Sequence, residues 1–157
     1  MITLDELLAS RDARHALQQQ LLAEHPGHTL VCTTVVVPGS VKRNHQSLVV
    51  AHAAVKELIR NYELGVRNDE LGVKSDECLI ERDLETGYEA YLITPMPLPE
   101  AKRIAVNIED THPLGRLFDI DIINADGVPV SRDAIGEKPR RCPVCDHEAR
   151  YCMSCLL

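Results

Sequence analysis

The order in which strand and helix patterns follow one another is the feature of this sequence that most constrains its fold. A first helix is predicted to begin at the capping-box pattern of Thr3 and Glu6 and to end before Pro26-Gly27. The later patterns run strand, helix, strand, strand, helix, strand, which is the ferredoxin-like order. We therefore predict an α+β fold, with an antiparallel sheet, the two internal helices on one face, the last strand beside the first, and an extra N-terminal helix.

The residue patterns also give approximate bounds for these elements. Alternating or β-branched residues indicate strands over 30–37, 77–82, 88–94 and 117–124, with a short further strand over 128–130. Helical spacing indicates helices over 45–64 and 100–110, the latter after a stiff linker from Pro95 to Pro99. A Thr86-Gly87 turn predicts a hairpin, and Asp126-Gly127 predicts another turn. The residues predicted to form the buried face of the second helix are Leu48, Val49, Val55, Leu58, Ile59 and Tyr62.

Composition excludes several classes of function. The chain has 157 residues, enough for a sizeable core, and 45% of them are apolar. A net charge of −7 and only 3% aromatic residues argue against general nucleic-acid binding, which needs a basic surface and stacking side chains. No apolar run is long enough to span a membrane, and the N-terminus lacks the pattern of a secretory signal. We therefore expect a cytoplasmic protein whose six cysteines are thiols or metal ligands.

Two aspartates on the last strand are the strongest candidates for chemistry. Side chains on a strand alternate between faces, so Asp119 and Asp121 point the same way, while the apolar residues between and beside them point into the core. We expect the aspartates to lie on the open face of the sheet, where a substrate can reach them. Two adjacent carboxylates repel each other unless a cation joins them, and Mg²⁺ is commonly held by one or two carboxylates plus substrate phosphates. The alternative is an ordinary half-exposed strand. Glu89 either joins this acidic face or is a solvated strand residue.

A basic loop follows the first strand. It runs from Pro38 to Asn44 and contains Gly39, Lys42 and Arg43 just before a helix, where free N–H groups attract an anion. It is not a Walker loop, which needs a second glycine before the lysine. If the first and last strands are antiparallel neighbours, this loop lies close to Gly115-Arg116 and the cations converge on one phosphate group. The alternative is a solvated basic loop.

A cysteine-rich tail closes the sequence. Cys142, Cys145, Cys152 and Cys155 form a C-x₂-C-x₆-C-x₂-C pattern that suits tetrahedral Zn²⁺. We predict a catalytic α+β domain over residues 1–136 and a structural zinc knuckle over 137–157. The remaining cysteines, Cys32 and Cys78, lie in predicted strands and are most simply buried apolar residues.

The stretch from Glu109 to Asp121, EDTHPLGRLFDID, resembles the signature of the citrate lyase holo-acyl carrier protein synthases, the phosphoribosyl-dephospho-CoA transferases of bacterial citrate lyase. The stretches PGSVKRN at 38–44 and TGYEA at 86–90 are similar to that family as well, as is the Cys142–Cys145 pair with its basic lead-in. The resemblance covers most of the chain from about Thr29 onward, in the same order.

This resemblance implies a nucleotidyltransferase-type reaction. The phosphoribosyl-dephospho-CoA group would pass from its triphosphate precursor, triphosphoribosyl-dephospho-CoA, to a serine of the citrate lyase acyl carrier subunit, releasing pyrophosphate. Mg²⁺ held by Asp119 and Asp121 would bridge the phosphates. Arg116 would clamp a phosphate, or else form a salt bridge to Asp110 or Glu109. His112 would act as a general base, or else fix the turn before the strand. The alternatives from other classes are a zinc-containing adaptor without catalysis and a nucleotide-binding regulator.

Overall fold

The computed structural model of the chain describes residues 1–62, 79–142 and 148. Within them the predicted order of elements is confirmed. The elements are the helices α1 (Leu4–Glu24), α2 (His45–Asn61) and α3 (Leu98–Thr111), and the strands β1 (Thr29–Val35), β2 (Leu79–Leu84), β3 (Gly87–Thr94) and β4 (Phe118–Ile123). Short 3₁₀ turns at Gly115–Leu117 and Asp133–Ile135 lie on either side of β4.

The four strands form one sheet in the order β2-β3-β1-β4, and every neighbouring pair is antiparallel. The last strand therefore lies beside the first, as predicted, and β4 is an edge strand. In the register of this pair Asp119 lies opposite Thr34, and Asp121 lies opposite Cys32. The end of β1 meets the beginning of β4, where the backbone N–H of Val36 donates to the carbonyl of Leu117 at 2.8 Å.

Helices α2 and α3 cover one face of the sheet, as the element order predicts. Phe118, Ile120 and Ile122 of β4 are almost fully buried there. Their helix partners are mainly small or aliphatic, which allows close packing of an aromatic-poor core. The buried helix residues of this core are Val50, Ala54, Leu58, Ala101, Ala105 and Ile108.

Helix α1 covers part of the other face, so the expectation of an open face was wrong in part. Leu17 and Leu21 of α1 pack on a second core contributed by the sheet. The sheet residues of this second core are Leu30, Cys32, Tyr91, Ile93 and Ile123. The apolar residues lie toward one end of the strands, which leaves the end with Asp119 less covered. The N-terminal helix is therefore part of the surroundings of the acidic pair.

Three local expectations differ from the structure. Helix α3 begins at Leu98 rather than at residue 100, because Pro99 lies in the first helical turn, where its missing N–H costs nothing. Val49 is 51% exposed, since the buried stripe of α2 passes through Val50 and its neighbours one and two turns on. Residues 128–130 form an isolated bridge, Ile123 with Pro129, rather than a strand.

Two further expectations concern the membrane and the tail. Among the described residues, no helix is both long and apolar enough to cross a membrane. Cys142 is buried, whereas Cys145, Cys152 and Cys155 lie outside the described residues, as does Cys78.

Candidate active site on the edge strand

Asp119 and Asp121 lie on the face of β4 opposite the main core, as the alternation predicts. The side chain of Asp119 is 48% exposed, whereas Asp121 lies deeper, beside Cys32 and under α1. Burial raises the pKa of Asp121 to about 6, and the negative charge of Asp119 contributes to the same shift. The two carboxylates therefore act on each other, and their environment disfavours two negative charges.

Glu89 joins this acidic face rather than being solvated. It lies in the same cross-strand row as Asp119, with Thr34 between them, and is only 4% exposed. The Tyr91 hydroxyl donates to its carboxylate at 2.6 Å, and Arg14 of α1 approaches it at 3.7 Å. Glu89 is thus held by neighbouring groups at one side of the row, while Asp119 at the other side remains accessible.

The donor set of the acidic pair fits a hard cation. Carboxylate oxygens are the ligands that Mg²⁺ prefers, and those of Asp119 are accessible while those of Asp121 are largely covered. Within the described residues, no group of three or more His, Cys, Asp or Glu side chains is arranged to hold a metal ion. Two carboxylates are nevertheless sufficient where substrate phosphates and water complete the coordination. The arrangement therefore suits a metal that binds together with a phosphorylated substrate.

A buried carboxylate secures the outer edge of β4. Glu109, at 5% exposure, accepts a hydrogen bond from the backbone N–H of Ile120 at 3.1 Å. It also pairs with Arg132 and Arg140, each at 3.0 Å. An unpaired edge strand is open to association with other chains, and a charged cover of this kind prevents it. Glu109 therefore connects α3, β4 and the segment that follows β4.

Arg140 connects that following segment to the start of β4. Its guanidinium donates to the carbonyl oxygens of Gly115, Arg116 and Phe118, and it lies 3.8 Å from the Asp119 carboxylate. The sequence identified Arg140 only as part of a basic segment before Cys142, and Arg132 gave no signal. Both pair with residues more than twenty positions away, which no local pattern reveals.

Arg116 lies in the 3₁₀ turn just before β4, with an exposed side chain. The alternative of a salt bridge to Asp110 or Glu109 is not seen among the described residues, because those carboxylates pair with Arg132 and Arg140 instead. The guanidinium of Arg116 is therefore exposed and not paired with a carboxylate among the described residues.

Gly115 is buried where the 3₁₀ turn passes close to the end of α3. A Cβ atom there would lie 2.6 Å from the carbonyl oxygen of Ile108 and closer still to that of Glu109. Both neighbours are backbone atoms that cannot rotate away. Any side chain would therefore separate the turn from α3.

We expect Gly115→Ala to destabilise the protein by about 1–3 kcal/mol, the usual cost of overpacking a close contact. Urea unfolding of the variant measures this. Gly136→Ala is a useful comparison, because a Cβ at Gly136 meets nothing within 4 Å and only its positive φ opposes the change. Equal stability of Gly115→Ala and the wild type would show that the turn has room to move.

The loop after β1 lies at the same end of the sheet as Arg116, but its cations are engaged locally. Lys42 donates to the carbonyl of Val37 at 2.6 Å. Arg43 forms a two-pronged pair with Asp83 at 2.8 and 2.9 Å. Asp83 belongs to β2, three strand spacings or roughly 14 Å from β4. Gly39 adopts a positive φ of 89° in this loop. The structure therefore does not bring Arg43 to Arg116.

His112 lies on the opposite side of the sheet from the acidic pair. It caps the C-terminus of α3, and its ring accepts a hydrogen bond from the backbone N–H of Leu114 at 3.0 Å. The ring also packs on Phe118, with centroids 4.9 Å apart. Because Phe118 points away from Asp119, His112 is not brought to the carboxylates, and these contacts support the alternative that it fixes the turn.

Comparison with known proteins gives a consistent family. A family model described as apo-citrate lyase phosphoribosyl-dephospho-CoA transferase matches residues 2–155. The chain is 36% identical over 152 residues to "Protein CitXG" of Haemophilus influenzae, covering 96% of this chain and 31% of that protein. It is 32% identical over 155 residues to a probable apo-citrate lyase phosphoribosyl-dephospho-CoA transferase of Streptococcus pyogenes serotype M18, covering 96% and 76%. The transferase of Shigella flexneri serotype 5b is 32% identical over 159 residues, with 96% and 78% covered.

Proposed function

The chain belongs to the family of apo-citrate lyase phosphoribosyl-dephospho-CoA transferases, and we propose that it performs the family's transfer at the face of β4 that presents Asp119 and Asp121. The observation that carries this assignment is the placement of the two carboxylates on one face, with Asp119 accessible and the backbone of β4 fixed by Glu109. Membership in a transferase family favours an enzyme over the adaptor and the regulator.

The proposed reaction is a single displacement at phosphorus. The hydroxyl oxygen of a serine on the citrate lyase acyl carrier subunit attacks the α-phosphorus of triphosphoribosyl-dephospho-CoA. The bond from that phosphorus to the bridging oxygen of the β-phosphate breaks, pyrophosphate leaves, and the serine proton passes to a base. In-line geometry and neutralisation of the leaving group carry most of the catalysis in such reactions.

Asp119 and Asp121 would hold Mg²⁺ against the donor phosphates. The metal supplies charge neutralisation on the phosphates when bound. The contribution of the chain itself is to position two carboxylates on a rigid edge strand, one exposed to the donor and one partly buried. Arg116, and Lys42 after release of the Val37 carbonyl, are proposed to contact the phosphates, with Gly39 and Gly115 shaping the two turns. Arg43 could join them only by leaving Asp83.

We also propose a fold arrangement, a division of the chain into two parts and a cellular location for the protein. The strand order and the antiparallel pairing support a ferredoxin-like arrangement, with α1 added on the second face. The division into a catalytic domain over 1–136 and a tail over 137–157 remains our proposal, although Arg140 packs on the domain through Glu109. We also propose that the protein is cytoplasmic, with the acyl carrier subunit and the donor as its partners and no nucleic acid or membrane partner.

Pyrophosphate release tests the proposed reaction. Purified chain, triphosphoribosyl-dephospho-CoA, Mg²⁺ and apo acyl carrier subunit should release pyrophosphate only when all four are present. A carrier subunit whose acceptor serine is replaced by alanine is the matched control and should give none. Release at the same rate without the carrier would show hydrolysis of the donor and contradict the transfer.

The tail is proposed to bind about one Zn²⁺ per chain through Cys142, Cys145, Cys152 and Cys155. The support is the spacing of the cysteines and the burial of Cys142. We expect metal analysis of protein purified without added zinc to find about one equivalent, and chelation to lower thermal stability more than the rate of the chemistry. Zinc-free protein with four titratable tail thiols would contradict this proposal.

A further inference from the structure

A cleft of about 500 Å³ lies beside β4, between the turn that precedes it and the segment that follows it. Five of its lining residues are cationic, namely Arg116, Arg132, Lys138, Arg140 and Arg141. Three are acidic, namely Glu109, Asp110 and Glu137. The cleft therefore has a formal excess of positive charge in a chain whose net charge is −7. Such a local reversal of sign favours an anionic ligand.

Two of the cations are fixed in place by buried or partly buried contacts. Glu109 binds Arg132 and Arg140 together, and Asp110 binds Arg132 a second time at 3.1 Å. Because these contacts fix both guanidinium groups, the wall of the cleft is preorganised and an anion need not order it on binding.

Two other cationic residues of the cleft, Arg116 and Lys138, are exposed and can contact a ligand. The side chains of Arg116 and Lys138 are exposed, and neither makes a hydrogen bond or ion pair with any residue in the part of the chain that the structure describes. A guanidinium and an ammonium that have no partner among residues 1–62, 79–142 and 148 provide eight N–H donors, which suits the many oxygens of a phosphate chain.

The cleft adjoins the acidic pair. Arg140 contributes to the wall of the cleft and also lies 3.8 Å from the carboxylate of Asp119. Arg116 belongs to the turn that leads directly into β4. An anion held in the cleft would therefore extend toward the proposed metal ligands, with Arg116 and Lys138 as its exposed cationic contacts.

We propose that this cleft binds the terminal triphosphate of the donor and holds the two phosphates that leave as pyrophosphate. This inference rests on the proposed function and assigns the donor's terminal triphosphate to Arg116, Lys138 and the arginine wall, so that only the remaining phosphates of the donor are left for Lys42 in the loop after β1. Arg132 and Arg140 act as positioning residues, because Glu109 and the backbone of β4 occupy much of their hydrogen-bonding capacity.

Calorimetric binding of inorganic tripolyphosphate in metal-free buffer tests this site without any reaction. Arg116→Ala and Lys138→Ala should each weaken binding by about tenfold or more, since contacts to charged groups are among the stronger hydrogen bonds. The matched controls are Arg103→Ala on α3 and Lys56→Ala on α2, which remove the same charges from exposed positions outside the cleft. Thermal unfolding confirms that all four variants are folded. Equal affinities for cleft and control variants would overturn the proposal.

A second ligand, dephospho-CoA, distinguishes binding of the donor's terminal triphosphate from binding of its internal diphosphate. Dephospho-CoA carries the internal diphosphate but no terminal triphosphate, so its binding should be unchanged in Arg116→Ala and Lys138→Ala. Loss of dephospho-CoA binding with intact tripolyphosphate binding would overturn the assignment to the triphosphate. Asp119→Asn should not weaken metal-free tripolyphosphate binding. If the cleft binds tripolyphosphate as stated and the carrier is never modified, the proposed transfer reaction is contradicted. The assignment of a phosphate-binding site to the cleft is then still supported.

Discussion

Asp119→Asn and Asp121→Asn should each reduce the rate of transfer by about 10²–10³-fold, which is the usual effect of removing one group that stabilises charge in the transition state. The physical reason is that each substitution removes a negative oxygen from the pair proposed to hold the metal against the donor. The measurement is the rate of pyrophosphate release at saturating carrier and donor, for Asp119→Asn and Asp121→Asn separately.

The unfolding temperatures of the variants distinguish a loss of catalysis from a loss of the folded structure. The pKa of Asp121 is raised by burial and by Asp119, so its charged form is disfavoured in the folded state and costs stability as pH rises through about 6. Asp121→Asn should therefore unfold at the wild-type temperature or higher at neutral pH. Asp126→Asn, in the exposed turn after β4, is the matched control and should keep full activity. Full activity of either acidic-pair variant would refute the two-carboxylate mechanism.

Removal of Glu109 should have the largest effect on stability. Glu109→Ala leaves the N–H of Ile120 and two partly buried arginines without their common partner. Breaking a buried ion pair by removing one member costs about 3–5 kcal/mol. Urea unfolding measures this, and the transfer rate should fall as well because the edge that positions Asp119 is no longer fixed.

Glu100→Ala provides the comparison on the same helix. Glu100 is exposed in the first turn of α3, where its interaction with the helix dipole contributes less than about 1 kcal/mol. A loss of stability for Glu109→Ala no larger than that of Glu100→Ala would show that the network around Glu109 contributes little.

Local sequence patterns were sufficient to predict the order of the helices and strands and the face of β4 that carries the two aspartates. The capping box of Thr3 and Glu6 gave the start of α1, and both of its hydrogen bonds are present. The alternation along β4 gave the faces of Phe118 and Asp119. The order of elements gave the antiparallel neighbours β1 and β4. In each case the information lies within a few residues or in the sequence order, which is why pattern reasoning was sufficient.

Side-chain contacts between residues far apart in the sequence could not be predicted from local patterns. The capping box and the Pro26-Gly27 stop predicted helix α1, but only tertiary packing decides that Leu17 and Leu21 cover the face that carries Asp121. Arg43 binds Asp83, forty residues away, and so leaves the predicted clamp. Arg140 reaches Glu109 and the start of β4 from the segment before the cysteine tail. Charged side chains on long flexible stems choose partners in space, and their sequence neighbours do not reveal the choice.

The intact mass of the acyl carrier subunit is the most direct test of the central claim. After incubation with the chain, triphosphoribosyl-dephospho-CoA and Mg²⁺, the carrier should gain the mass of one phosphoribosyl-dephospho-CoA group, on a single serine and with one pyrophosphate released per carrier. The variant that carries both Asp119→Asn and Asp121→Asn should leave the carrier mass unchanged. An unmodified carrier with the wild-type chain, or equal modification by the double variant, would contradict the assignment of transfer to this face of β4.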